Sequence, residues 1–110
     1  MKHVVYAENS LLMGDEVVDL MMEYAVLLAR QASADSVDVA AISAGGDPVT
    51  ATFLIGPATI MVAETSRSAL PEPENGSAVS YLKEKIEQIK SPPMARGLRD
   101  DDERGFEEGF

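Results

Sequence analysis

The chain has 110 residues, no cysteine and a formal net charge of −10, from nineteen acidic and nine basic side chains. This length predicts one domain. The lack of cysteine excludes disulfide bonds, thiol catalysis and thiolate metal sites, and it fits a cytoplasmic location. The acidic balance disfavours binding to nucleic acid, because phosphate would be repelled, and it favours basic partners. No apolar run approaches the roughly eighteen residues that a membrane span requires.

The first thirty-one residues predict a strand followed by a helix. Residues 3–7 are β-branched and aromatic, which is typical of a strand. Asn9, Ser10 or Asp15 can cap the helix that follows, and this helix is expected to end near residue 31.

This first predicted helix has almost no polar side. Between Val17 and Leu28 only Asp19 and Glu23 interrupt the apolar and tyrosine positions. A helix covering a single core needs an apolar stripe of roughly 100°, and this helix offers about twice that width. The excess predicts that a second copy of the chain covers part of the helix, so a homo-oligomer is expected, with a dimer favoured.

Three strands are predicted next, over residues 37–43, 49–55 and 59–65, separated by short turns rich in glycine and proline. Short turns between consecutive strands predict an antiparallel meander. The face expected to meet the helices carries Val37, Val39, Val49, Ala51, Phe53, Ile55, Ile60 and Val62. The opposite face carries Asp38, Ala40, Ile42, Thr50, Thr52, Leu54, Met61 and Ala63, and its mixed character predicts a further contact surface.

A second helix is predicted over residues 77–90, with a narrow apolar stripe of Val79, Leu82, Ile86 and Ile89 that ends before two prolines. The predicted fold is therefore α+β: a two-layer sandwich in the order β-α-β-β-β-α with a largely antiparallel sheet. Residues 1–90 are expected to form one domain, and residues 91–110 a flexible tail rich in proline, glycine and acidic residues.

The residues expected to mediate self-association come from the first helix and from the mixed face of the sheet. They are Val17, Leu20, Met21, Tyr24, Leu28, Ile42, Leu54 and Met61.

The sequence contains no recognisable catalytic set. His3 is its single histidine, and no Gly-x-Ser-x-Gly turn is present. Residues 43–47 lack the lysine and the following helix of a phosphate-binding loop, so they predict a hairpin turn. We expect no metal site and no cofactor.

A small polar pocket is predicted if the first and last strands are neighbours. Tyr6, Glu8, Glu64 and Arg67 would then lie near one another, and a buried carboxylate pair could perform acid–base chemistry. The alternative is a surface ion pair between Arg67 and Glu64 beside polar residues at the strand ends.

The tail combines an acidic run with two phenylalanines. Such segments dock onto basic partners whose pockets accept the rings, and the residues expected to do so are Asp100, Asp101, Asp102, Phe106 and Phe110. Over its last dozen residues the chain resembles the acidic, Phe-terminated tail of bacterial single-stranded-DNA-binding proteins, which implies recruitment of other proteins. Gly109 stands where that tail usually has proline. A purely solubilising tail is the alternative.

Three functions remain open from these observations. The leading one is a small, acidic, self-associating interaction or regulatory protein without catalytic activity, whose tail is a docking peptide. The second is a small-molecule-binding domain or minor enzyme with a pocket near Tyr6, Glu8, Glu64 and Arg67. The third is a structural subunit of a larger assembly.

Overall fold

Two helices lie on one face of a five-stranded sheet, so the predicted α+β class and the antiparallel pairing are confirmed. The computed structural model describes residues 1–6 and 8–91. The sheet order is β4-β3-β2-β1-β5, and every neighbouring pair is antiparallel. In chain order the elements are β1 (Lys2–Tyr6), β2 (Asn9–Met13), α1 (Asp15–Arg30), β3 (Asp35–Ile42), β4 (Pro48–Ile55), β5 (Met61–Thr65) and α2 (Gly76–Lys90).

The structure contains one strand that the sequence did not predict, β2, which lies between the first strand and the first helix. Asn9 and Ser10, which were candidate helix caps, begin this strand, and it pairs with β1 along its whole length. The N-cap of α1 is Gly14, and Asp15 is the first helical residue. Because leucine and methionine favour helices in isolation, pairing with β1 and not local propensity makes residues 11–13 a strand.

The predicted meander is wrong beyond the β3–β4 hairpin. Only residues 56–60 separate β4 from β5, yet these two strands lie at opposite ends of the sheet order. A flat sheet would hold β1 and β4 about 14 Å apart, since two strands lie between them. Instead the Tyr6 hydroxyl on β1 donates to the Leu54 carbonyl on β4 at 2.6 Å, and its ring meets Phe53 edge-on. The sheet is therefore strongly coiled, and β4 curls toward β1.

The two faces of β5 are the reverse of the prediction. Met61 and Ala63 pack against the core, whereas the neighbouring Ile60 and Val62 are 82% and 50% exposed. All four side chains are apolar, so the sequence could not fix which pair points inward. The pairing with β1 decides it, because Ala63 lies opposite the buried Val4.

The apolar excess of α1 is covered within one chain. One stripe of α1 packs on the sheet, and α2 lies beside the helix and covers much of the rest. Lys83 pairs with Glu16 at 3.2 Å and Lys90 with Glu23 at 2.7 Å, so the two helices run parallel, in matching register. A second copy is therefore not needed to cover α1.

The sheet has a weak seam between β2 and β3, where the strands are paired at Leu12 and Ile42 alone. Just beyond this pair the side chain of Asn75 takes the place of a strand. Its Oδ1 accepts from the Ala40 N–H at 2.7 Å, and its Nδ2 donates to the Ala40 carbonyl at 2.8 Å. Asn75 is also the N-cap position of α2, so this side chain fastens the start of α2 to β3.

We expect Met21→Asp to prevent folding. Met21 is 1% exposed, and burying an unpaired carboxylate costs several kcal/mol, on the order of the whole stability of a small domain. The matched control is Val26→Asp on the same helix, where the side chain is 51% exposed. Circular dichroism during heating should show a cooperative transition for the control and none for Met21→Asp. A wild-type melting temperature for Met21→Asp would contradict this packing.

Asn75→Ala should destabilise the protein by about 1–3 kcal/mol, because both backbone groups of Ala40 lose their partner. The control Ser77→Ala removes an exposed side chain two residues later and should change the free energy of unfolding by less than about 0.5 kcal/mol. Urea unfolding of the three proteins measures both effects. Equal stabilities would show that the Asn75 amide contributes nothing to the seam.

Candidate functional site

The structure meets the condition for the predicted polar pocket but separates its residues. β1 and β5 are neighbours, and Glu64 lies opposite His3. Tyr6 and Glu8 line a concavity of about 650 Å³ between β2 and β4. Arg67 lines another concavity, of about 540 Å³, on the face of the sheet away from the helices. Tyr6 and His3 are three residues apart, about 10 Å along the strand, so the carboxylate pair of Glu8 and Glu64 does not form.

Two further observations bear on these residues. The Tyr6 hydroxyl is already bonded to the Leu54 carbonyl, so it holds the coil of the sheet together. The alternative surface pair between Arg67 and Glu64 is not formed either, since no ion pair of the described residues includes Arg67.

Most residues expected at a self-association surface lie in or against the core. Val17, Met21, Tyr24 and Leu28 of α1 are buried, as is Ile42, and Leu20 and Met61 are half-buried against the same core. Leu54 is the exception, since 63% of its surface is exposed. If two copies associate, the contact must therefore lie away from the buried side of α1.

A polar cluster that the sequence analysis missed joins both helices to the sheet. The Asp35 carboxylate at the start of β3 accepts from the Tyr24 hydroxyl of α1 at 2.6 Å and from the Tyr81 hydroxyl of α2 at 2.5 Å. Its other oxygen accepts from the Ser36 N–H. These residues are far apart in sequence, so no local pattern could have indicated the cluster.

Each acid of this cluster titrates away from its ordinary range. Burial alone would raise the pKa of Asp35, but the hydrogen bonds from Tyr24, Tyr81 and Ser36, helped by the charge of Lys85, hold the pKa below its usual value. Burial, and then the bond to Asp35, raises the pKa of Tyr24. The bond to Asp35, and then burial, raises the pKa of Tyr81. With every polar group satisfied, the arrangement fits a structural role.

The outer edge of β4 is a second feature that the sequence analysis did not single out. Asn75 binds both backbone groups of Ala40 on the side away from β4. Thr50 lies directly opposite Ala40. In an antiparallel pair, the backbone N–H and C=O groups of two opposite residues either hydrogen-bond to each other or all point away from the partner strand. The backbone N–H and C=O of Thr50 therefore point away from β3.

A second observation gives the same orientation. The Leu54 carbonyl accepts from the hydroxyls of Tyr6 and Thr59, so it also points away from β3. Backbone groups alternate along a strand, and Thr50, Thr52 and Leu54 therefore share this orientation. Since β4 ends the sheet order, no described strand pairs with this side of Thr50 and Thr52. We call these two backbones the β4 edge.

The β4 edge lacks the usual protection against pairing with another chain. Natural edge strands carry lysine, an inward charge, a bulge or a central proline. β4 contains no charged residue over its eight positions, and its one proline, Pro48, is the first of them. Thr50 and Thr52 are exposed. The uncharged run is visible in the sequence, but its position at an edge is not.

Comparisons with protein families, with curated proteins and with solved structures find no match to this chain. The described residues contain no helix of the length and hydropathy needed to cross a bilayer. They also contain no group of three or more metal-binding side chains. The predicted docking residues Asp100, Asp101, Asp102, Phe106 and Phe110 lie outside the described residues, so their role stays a prediction.

The polar cluster predicts how stability depends on pH. The pKa of Asp35 is lowered in the folded state, so its contribution is present above the unfolded value near 3.8 and is lost as pH falls below it. The pKa values of Tyr24 and Tyr81 are raised, so their contribution is present below 10.0 and is lost as pH rises above it.

Asp35→Asn should therefore lower the free energy of unfolding by about 1–3 kcal/mol near neutral pH. The difference from wild type should shrink toward both extremes, because there the unfolded chain gains the Asp35 proton or loses the tyrosine protons while the folded cluster resists the change. Urea unfolding at about pH 3, 7 and 11 measures it. A difference that stays constant across this range would contradict the assignment.

Proposed function

We propose that this protein is a non-catalytic interaction protein that associates with a second copy of itself through the β4 edge. The observation that supports this most directly is an uncharged, eight-residue edge strand whose Thr50 and Thr52 backbones pair with no described strand on their outer side. Thr52 also lines the concavity of Tyr6 and Glu8, so a second copy would pair at the rim of that concavity. The proposal keeps the predicted self-association but moves it from α1 and the mixed face of the sheet to the edge strand β4.

The β4 edge suits pairing about a two-fold axis. Two antiparallel β4 strands can be placed so that Thr50 of each copy lies opposite Thr52 of the other, which forms two pairs of backbone hydrogen bonds. The next outward positions mark the limits of this pairing. Pro48 has no N–H to donate, and the Leu54 carbonyl already accepts from Tyr6. In this register the exposed Leu54 side chain packs against Pro48 of the other copy.

Charge favours this surface over others. Residues 1–90 carry six basic and thirteen acidic side chains, a net charge of −7, so two copies repel each other over most of their surfaces. β4 itself carries no charge, and Asp38 beside it accepts from the Thr52 hydroxyl at 2.7 Å. Self-association should therefore strengthen as salt screens the remaining repulsion.

The expected dimer is weak. Each backbone hydrogen bond contributes about 0.5–1.5 kcal/mol net. Association costs about 4–15 kcal/mol, because the two copies lose translational and rotational freedom. Burial of Leu54 adds about 1.5–3 kcal/mol for each copy. At their most favourable these magnitudes leave about 8 kcal/mol, a dissociation constant of about 1 µM. The expected dimer is therefore reversible, with a dissociation constant of micromolar or weaker.

Thr52→Pro tests the proposal, because it removes an outward N–H that no described strand uses and leaves the bonds from β4 to β3 in place. Thr52→Ala is the matched control, since it removes the side chain but keeps the N–H. Light scattering on the full chain, from about 10 µM to 1 mM, should show the wild type and Thr52→Ala rising above the monomer mass of 11.8 kDa. Thr52→Pro should stay at that mass.

Thr50→Lys provides a second edge variant, since a lysine at an open edge opposes pairing. Circular dichroism confirms that each variant is folded before its mass is compared. A wild-type chain that stays monomeric throughout this range, or a folded Thr52→Pro that associates as the wild type does, would overturn the proposal.

A further inference from the structure

We propose that the concavity containing Arg67 binds a small organic molecule that carries one oxyanion group, phosphate or carboxylate, beside an apolar group. The concavity lies on the face of the sheet away from the helices and has a volume of about 540 Å³. We call it the serine groove, after the four serines in its lining, Ser10, Ser43, Ser66 and Ser68.

The weak seam of the sheet builds the serine groove. Leu12 and Ile42, the one pair that joins β2 to β3, line it and are themselves buried, so they form an apolar floor. On one side lies the β3–β4 turn, where Gly46 adopts a φ of +91°, a conformation that favours glycine. On the other side, residues 66–70 leave β5 and bring Leu70 to the rim.

Three of the serines are arranged as hydrogen-bond donors. The Ser66 Oγ accepts from the Ser68 N–H at 3.3 Å, and the Ser68 Oγ accepts from the Leu70 N–H at 3.1 Å. Across the groove, the Ser43 Oγ accepts from the Asp47 N–H at 3.2 Å. A hydroxyl whose oxygen is held by a backbone N–H still has its own hydrogen to donate. Hydroxyl donors that line one concavity beside a guanidinium group suit an oxyanion better than a cation.

Arg67 supplies the charge. The described part of the chain contains six basic residues, and Lys2, Lys83 and Lys90 are in ion pairs with α1. Lys85 lies over the Tyr81 ring. Neither Arg30 nor Arg67 has an ion pair among the described residues, although acidic side chains outnumber basic ones two to one there, and of these two Arg67 lines the serine groove. A guanidinium group binds phosphate or carboxylate through two parallel hydrogen bonds.

The other charges around the serine groove limit the ligand. His3 lines the groove and offers a ring nitrogen, but Glu64 lies opposite it on β5. This carboxylate and the acidic body of the protein oppose a polyanion. One oxyanion therefore meets Arg67 and the serine hydroxyls, and the apolar floor of Leu12 and Ile42 accepts the rest of the molecule.

The test uses two probes, inorganic phosphate and phenyl phosphate, added to the full-length chain and followed by amide NMR shifts. We expect saturable shifts at residues 43–46 and 66–70, with a dissociation constant near 1 mM for phosphate and tighter binding of phenyl phosphate. Arg67→Gln should weaken binding at least about tenfold. Arg30→Gln, a matched change at the exposed end of α1, should leave it unchanged.

Three results would overturn the proposal: no saturable shift in the serine groove with either probe, unchanged binding by Arg67→Gln, or an equal loss with Arg30→Gln. The last result would mean that net charge and not a site governs the effect. Thr52→Pro separates this test from that of self-association, because the serine groove lies within one copy and the variant should bind phenyl phosphate as the wild type does.

Discussion

The single pair that joins β2 to β3 is the constraint on which the rest of this structure depends. β1, β2 and β5 form one paired unit and the β3–β4 hairpin forms another, and these units meet in the sheet at Leu12 and Ile42 alone. One backbone pair contributes too little to hold two units in a fixed relation. Other parts of the chain must therefore bridge them, and the structure shows three such bridges.

In each bridge a side chain supplies a connection that further backbone hydrogen bonds between β2 and β3 would otherwise supply. The Asn75 amide replaces a strand beside Ala40. The Tyr6 hydroxyl spans from β1 to the Leu54 carbonyl of β4 and fixes the coil of the sheet. Asp35 gathers the hydroxyls of Tyr24 and Tyr81 and so fastens both helices to the hairpin. The two bonds to the Asp35 carboxylate are charge-assisted, and such bonds are about twice as strong as neutral ones.

The two proposed surfaces follow from the same arrangement. Because the seam is short, the hairpin turn and residues 66–70 border a depression over Leu12 and Ile42, which becomes the serine groove. Because β4 ends the sheet and its neighbour β3 is bonded by Asn75 on the far side, the alternation of backbone groups leaves Thr50 and Thr52 open. The acidic body makes both features distinctive, since Arg67 has no carboxylate partner within residues 1–6 and 8–91 and β4 carries no charge.

The sequence by itself determined the helices, the inward faces of β3 and β4, and the α+β class, because these depend on local periodicity. Val37 and Phe53 point inward as their alternation predicts. Only the tertiary structure decided that residues 9–13 form a strand, that β5 joins β1, and that Met61 and not Val62 points inward. An apolar segment can turn either set of alternate residues toward the core, and it can form either a helix or a strand. Long-range pairing therefore selects between these possibilities. The same holds for Glu8 and Arg67: their residue types indicated polar chemistry, but the coil of the sheet set which residues share a concavity.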